Sequence, residues 1–161
     1  MKYTEEELQK FMKRAIELSE IGMDNNHGGP FGAVVVKNGE IVGEGYNLVT
    51  SSNDPTAHGE VTAIRNACKN LNTFDLSGCV LFTSCEPCPM CFSAIYWANI
   101  DEVFYGNDKH DARAAGFRDD FIYDELDKPA DKRSKRMLQI NREEAWQVFQ
   151  KWIAKENKTM Y

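Results

Sequence analysis

The sequence contains no apolar run approaching the roughly 18 residues that a membrane span requires. It also lacks a basic excess: 19 Lys and Arg stand against 25 Asp and Glu, and the net charge is −6. Phosphate binding draws on a basic face, so the balance speaks against a protein that coats nucleic acid, though a local basic patch remains compatible with it. The opening stretch MKYTEEELQKFMKRAIELSE is charged throughout and carries no signal-peptide core. No repeat, low-complexity tract or linker interrupts the 161 residues. The expectation is a cytoplasmic chain of one domain, residues 1–161, long enough for a proper core. A disulfide framework is disfavoured as well. The five cysteines (Cys68, Cys79, Cys85, Cys88 and Cys91) are odd in number, and three of them crowd into seven residues.

Thr4 with Glu7 three residues later forms a capping-box signature before a helical run through Leu8, Phe11, Ala15 and Leu18. The stretch NNHGGP ends that helix. FGAVVVKNGEIVGEGYN reads as a hairpin turning at Asn38-Gly39. A helix is expected from near Pro55 and Thr56, with Val61, Ile64, Cys68 and Leu71 on its apolar face. CVLFTS, residues 79–84, is apolar enough for a strand buried on both faces. Pro87 suits the first turn of the following helix. EVFYG, residues 102–106, completes a βαβ unit with parallel strands. Beyond residue 107 the pattern weakens; RMLQI is a candidate fifth strand, and NREEAWQVFQKWIAKENK an amphipathic helix. The sum is a three-layer α/β/α fold.

Two short stretches carry chemistry. TAHGEV offers His58 and Glu60; SCEPCPMC offers Cys85, Cys88 and Cys91. Cys88 and Cys91 lie three apart at a helix start, so both thiolates can reach one ion, and zinc prefers sulfur and imidazole nitrogen. With His58 at the start of another helix, two positive helix ends face a common point. Three ligands leave one position for water, the arrangement of a catalytic zinc. Cys85 as a fourth ligand would close it into a structural one. Glu60, two residues from His58, is then placed to move protons for zinc-bound water. A lone H-x-E says little and a lone C-x-x-C more. Joined as H-x-E … P-C-x-x-C they form the signature of zinc-dependent nucleobase deaminases.

At DPTAHGEVTAIRNAC and TSCEPCPMCFSAIYWA the chain resembles the cytidine deaminase superfamily. Within it, AGFRDDFIY and ELDKPA make it most similar to the small bacterial guanine deaminases. The resemblance implies a five-stranded mixed sheet and one zinc per subunit on His58, Cys88 and Cys91, with Glu60 as proton shuttle. It implies that guanine is hydrolysed to xanthine and ammonia, the partner being a small purine rather than nucleic acid or membrane. Asn47 would hydrogen-bond the ring, Phe31 would stack on it, and a backbone N–H near Glu86 to Cys88 would steady the attacked centre. Asp111 would be a second carboxylate gripping the purine. The resemblance further implies a homodimer in which a C-terminal segment, about 130–161, crosses to the partner and sets Tyr161 over its site. One departure stands out: Gly59 replaces the usual alanine between ligand and glutamate.

On pattern alone the same residues have plainer readings. Asn47 ends a strand as a turn residue, Phe31 belongs to the core, and Asp111 is a solvated carboxylate or a helix N-cap. Trp97 is a candidate pocket wall whose plainer place is the core. Tyr161 lies at a terminus, His27 and His110 lie in loops, and Cys68 and Cys79 are buried thiols. Rival functions are a deaminase of guanosine, cytosine or transfer-RNA adenosine, and a non-catalytic zinc module closed by Cys85.

Overall fold

The computed structural model describes residues 3–161. Helix α1 (Glu5–Asp24) opens on the expected capping box. Thr4 Oγ1 accepts the Glu7 N–H at 3.3 Å, and the Glu7 carboxylate accepts the Thr4 N–H at 2.8 Å. Strands β1 (Gly32–Lys37) and β2 (Glu40–Tyr46) pair antiparallel through Asn38 and Gly39. Both turn residues have positive φ, 51° and 83°, as a two-residue hairpin turn requires. After the single turn α2 (Val49–Ser52) come α3 (Gly59–Leu71), β3 (Cys79–Cys85), α4 (Pro89–Trp97), β4 (Glu102–Asn107) and α5 (Lys109–Ala114).

The sheet runs β2-β1-β3-β4, with β1 and β3 antiparallel and β3 and β4 parallel. It has four strands, not the five expected. Residues 136–140 have the apolar content of a strand but no strand to pair with, and Met137, Leu138 and Ile140 are exposed. A strand without a ladder partner leaves its N–H and C=O groups to water and does not persist.

Alternation along β1 and β3 divides two cores. Val34, Val36, Val80 and Phe82 face α1, meeting Phe11, Ala15 and Leu18. Ala33, Val35, Cys79 and Leu81 face α3 and α4, meeting Ala63, Ala67 and Ile95. This is the three-layer arrangement, with β3 buried along its whole length. Phe82 stacks between Phe11 and Phe104, at centroid distances of 5.2 and 5.1 Å.

The approach of α3 to β2 depends on two glycines. A Cβ at Gly43 would lie 2.5 Å from the Ala63 carbonyl oxygen, and one at Gly45 would lie 2.4 Å from the Ala63 nitrogen and 2.5 Å from the Gly59 oxygen. Backbone cannot yield at such distances, so these positions set how closely the first turn of α3 sits on the sheet.

Contacts divide the chain into two compact units: one reaches to Asp120, and the other is Phe121–Tyr161. The second holds most of α6 (Asp120–Asp127), a 3-10 turn (Ala130–Lys132) and α7 (Arg142–Ala154). Glu125 anchors it, accepting hydrogen bonds from Lys128 Nζ at 2.6 Å and from the Ser134 N–H at 2.6 Å. On α7 the apolar Val148, Phe149 and Ile153 are exposed.

Gly45→Ala should lower stability by about 1–3 kcal/mol, the usual cost of overpacking. A urea midpoint equal to that of the parent protein would show that α3 does not rest on this contact.

Candidate active site

Both metal-type stretches sit at helix starts, one residue earlier than a helical reading requires. His58 is the N-cap of α3 (φ −71°, ψ 159°) and Cys88 the N-cap of α4 (φ −66°, ψ 167°). The helices therefore begin at Gly59 and Pro89 rather than near Thr56 and Pro87, with Pro89 filling the N1 position that proline favours. An N-cap side chain ordinarily accepts an N–H from the first turn, an interaction of about 1 kcal/mol. Neither His58 nor Cys88 does so; they turn toward each other.

His58 Nδ1 lies 3.5 Å from Cys88 Sγ and 3.5 Å from Cys91 Sγ. The three donor atoms all fall within 4.8 Å of one another, the one such trio among the described residues. A tetrahedral zinc with usual bond lengths spaces nitrogen from sulfur by about 3.6 Å, so the donor set fits that ion. Cys85 stands apart. It ends β3, and its thiol reaches the Asp108 carbonyl oxygen at 3.8 Å. Burial pushes the Cys85 thiol up to about 12. The chain thus brings three possible donors together, and Cys85 is not among them.

Without a cation these donors are electrostatically crowded. The hydrogen bond from Cys91 holds Cys88 well below the ordinary thiol range, with His58 adding to the effect. Cys91 is pushed up by Cys88 and by burial. His58 is raised, first by its hydrogen bond to Cys88. Glu60, in the first turn of α3, is 6% exposed, and burial lifts its carboxyl to about 7. Its side chain lies within hydrogen-bond reach of Cys91. Gly59 brings the pair close to β1: a Cβ there would lie 3.0 Å from the Phe31 oxygen. The glycine thus gives room that the commoner alanine would have to obtain by a small shift of β1.

Asn47 is buried at the end of β2. Its N–H donates to the Phe31 oxygen at 2.9 Å, and its Oδ1 accepts the Val49 N–H at 3.0 Å. That bond fixes the amide's orientation and leaves Nδ2 as a donor that a ligand can use. Phe31 is half-buried and meets Phe117 edge-on, centroids 4.6 Å apart at 77°. Asp111 is not the N-cap of α5. Asp108 is, with Asp111 as its capping-box partner three residues on.

Trp97 corrects the plainer reading given to it. It is 67% exposed, so it is not core. It closes α4, nine residues from Cys88, which is roughly 13 Å of helix. Cys91, Ile95 and Ala98 take the buried stripe of that helix, and Trp97 lies beside Phe92 and Tyr96 at its surface. Tyr161 is an exposed residue of the second unit.

Three residues went unnoticed in the sequence. Asp108 was legible, since D-x-x-D opens a capping box much as S-x-x-E does. Phe117 and Glu86 had no local signal. Phe117 is defined by Phe31 across the fold, and Glu86 by Lys109, whose N–H donates to Glu86 Oε2 at 3.0 Å.

Residues 5–107 match the family described as the cytidine and deoxycytidylate deaminase zinc-binding region. The guanine deaminase of Bacillus subtilis is 54% identical over 153 residues, covering 95% of this chain and 98% of that protein. Its X-ray structure superposes with a TM-score of 0.92 over the same shares. A tRNA-specific adenosine deaminase of Aquifex aeolicus is 43% identical over 93 residues, 58% of this chain and 56% of that one. The structure of a guanine deaminase from Nitrosomonas europaea gives a TM-score of 0.65 at 33% identity, over 68% of this chain and 63% of that one.

Elemental analysis of the purified protein should find one zinc per chain. His58→Ala and Cys88→Ser should each lose it, whereas Cys85→Ser should retain it. Loss of metal in Cys85→Ser would mean that Cys85 belongs to the site as a fourth ligand.

Proposed function

Because the chain belongs to the cytidine and deoxycytidylate deaminase family, we infer that it is a zinc-dependent hydrolase that converts guanine and water to xanthine and ammonia. The observation that carries the reading is the His58, Cys88 and Cys91 donor trio beside buried Glu60, in a chain 54% identical to a guanine deaminase along almost its whole length. Zinc on those donors supplies a Lewis acid with a free coordination position, making hydroxide available near neutral pH.

Glu60 is the proton carrier. A carboxyl whose own tendency lies near 7 both takes and gives protons readily at neutral pH, and a bound cation favours its ionised, proton-accepting form. It takes one proton of the attacking water and gives it to a ring nitrogen, then takes the second proton from the hydroxyl of the adduct and gives it to the departing amine. Water adds at the amine-bearing carbon, the C–N bond breaks, and ammonia leaves a carbonyl behind. The Cys88 N–H steadies the attacked centre, since Pro87 has none and the Glu86 N–H is held by the Asn107 oxygen.

Asn47 binds the ring edge through Nδ2, and Phe31, braced by Phe117, takes its face. Asp111 grips the purine through the carboxylate oxygen that its capping box leaves over, since the box uses Oδ2. A net charge of −6 suits a free neutral base better than a transfer-RNA stem.

The protein works as a cytoplasmic homodimer in which the segment from about 130 to 161 is exchanged and Tyr161 covers the partner's site. The open edge of β4, the exposed Phe92, Tyr96 and Trp97 on α4, and the apolar residues exposed on α7 support association with a second copy. Five free cysteines, three of them grouped as metal donors, suit a reducing compartment.

Glu60→Gln should keep its zinc and lose about a thousandfold in kcat, the middle of the range that a positioned acid–base group contributes. Substantial turnover in that variant would refute the shuttle role. Ammonia release from guanine, guanosine, cytosine and transfer-RNA adenosine should be confined to guanine. Consumption of another member of the panel in its place would reassign the substrate. Light scattering should give twice the 18.4 kDa chain mass, and a monomer would reject the exchange.

A further inference from the structure

We propose that Glu86 is a positioning residue: its carboxylate clips α5 to the cysteine loop and so holds Asp111 and Phe117 at a fixed station relative to the metal donors. The clip itself stands on geometry alone. Its effect on catalysis rests on the deaminase reading above.

The start of α5 permits a complete accounting. The Asp108 N–H donates to Asp111 Oδ2 at 3.0 Å, and the His110 and Asp111 N–H groups donate to Asp108 Oδ1 at 2.8 and 2.9 Å. Those three bonds are local to the first turn. The fourth N–H, that of Lys109, donates to Glu86 Oε2 at 3.0 Å, from a residue 23 positions earlier in the chain. Glu86 also donates its own N–H to the Asn107 oxygen at 2.8 Å. It therefore ties the loop before Cys88 to the end of β4 through its backbone and to α5 through its side chain.

A helix of six residues does not hold itself together in water, so an outside anchor decides whether it stays formed. A carboxylate at its positive end is the favourable anchor. At its other end the helix closes on Gly116, with φ 94°. There the Gly116 N–H donates to the Arg113 oxygen and the Phe117 N–H to the Ala112 oxygen, both at 3.0 Å. This closure turns Phe117 onto Phe31, whose carbonyl in turn accepts the Asn47 N–H. One hydrogen bond beside the metal loop thus governs the aromatic pair at the other end of the strut.

Three variants of the full-length, zinc-loaded protein test the proposal. Glu86→Ala removes the acceptor and Glu86→Gln keeps an acceptor oxygen. Lys109→Pro removes the donor at an N1 position where proline is tolerated, after Asp108, whose backbone (φ −92°, ψ 177°) already suits the residue before a proline. All three should retain one zinc per chain. In Glu86→Ala, amide exchange across residues 109–117 should speed up about tenfold, and KM for the base that the parent protein consumes should rise about tenfold, the scale of one lost hydrogen bond to a charged group. Lys109→Pro should reproduce the KM change, the double variant should be no worse than either single one, and Glu86→Gln should restore most of the loss. Unchanged exchange and KM in Glu86→Ala would overturn the proposal, as would additive losses in the double variant or loss of zinc. Because exchange is read without substrate, failure of the clip is distinguishable from an error in the substrate assignment.

Discussion

Two helices begin on residues that do not cap them, and the site depends on that constraint. His58 and Cys88 occupy N-cap positions where serine, threonine or aspartate would satisfy a first-turn N–H, and they use their side chains to face each other instead. With Cys91 they bring three donors to contact distance beside a buried glutamate. A zinc ion held by Cys88, Cys91 and His58 would relieve the crowding, favouring thiolate sulfurs and a neutral imidazole and placing a positive charge near Glu60.

What positions those helix starts is the sheet. β3 is buried along its length and delivers the chain to Cys85, from which Glu86 and Pro87 lead into α4. Gly43 and Gly45 let α3 settle on β2 closely enough for backbone to meet backbone, and Gly59 lets the first turn of α3 approach Phe31. The metal side of the site is therefore set by rigid elements and by small residues with no latitude, which suits a function needing fixed geometry rather than motion.

Much of this was legible in the sequence because its signals are local. The Thr4–Glu7 box, the Asn38-Gly39 turn, the βαβ unit and the H-x-E … P-C-x-x-C spacing each declare themselves within a few residues. What escaped was decided at a distance or by competition. The helix starts shifted because a ligand side chain can stand at an N-cap, a choice that capping statistics do not favour. RMLQI has a strand's composition but no neighbour to pair with, and β propensity is worth little without one. Trp97 is apolar and sits in an apolar helix, yet the stripe through Cys91, Ile95 and Ala98 already fills the core, so it emerges at the surface. Glu86 is invisible to any pattern, since its meaning lies in an amide 23 residues later.

The division of labour along the chain follows from the same geometry. The family region covers residues 5–107 and so contains the donor trio, Glu60, Asn47 and Phe31. It stops where β4 ends and α5 is about to begin. The transfer-RNA deaminase relative aligns over 93 residues, whereas similarity to the Bacillus subtilis guanine deaminase runs over 153. Machinery for activating water is thus common property, and the portion after residue 107 is where a preference for one base over another has room to reside. Such a division works only if the later portion is registered against the earlier one, because a purine held an ångström out of place is not attacked. The short α5, capped by its own Asp108 and fastened to the cysteine loop, registers residues 109–117 against the metal donors.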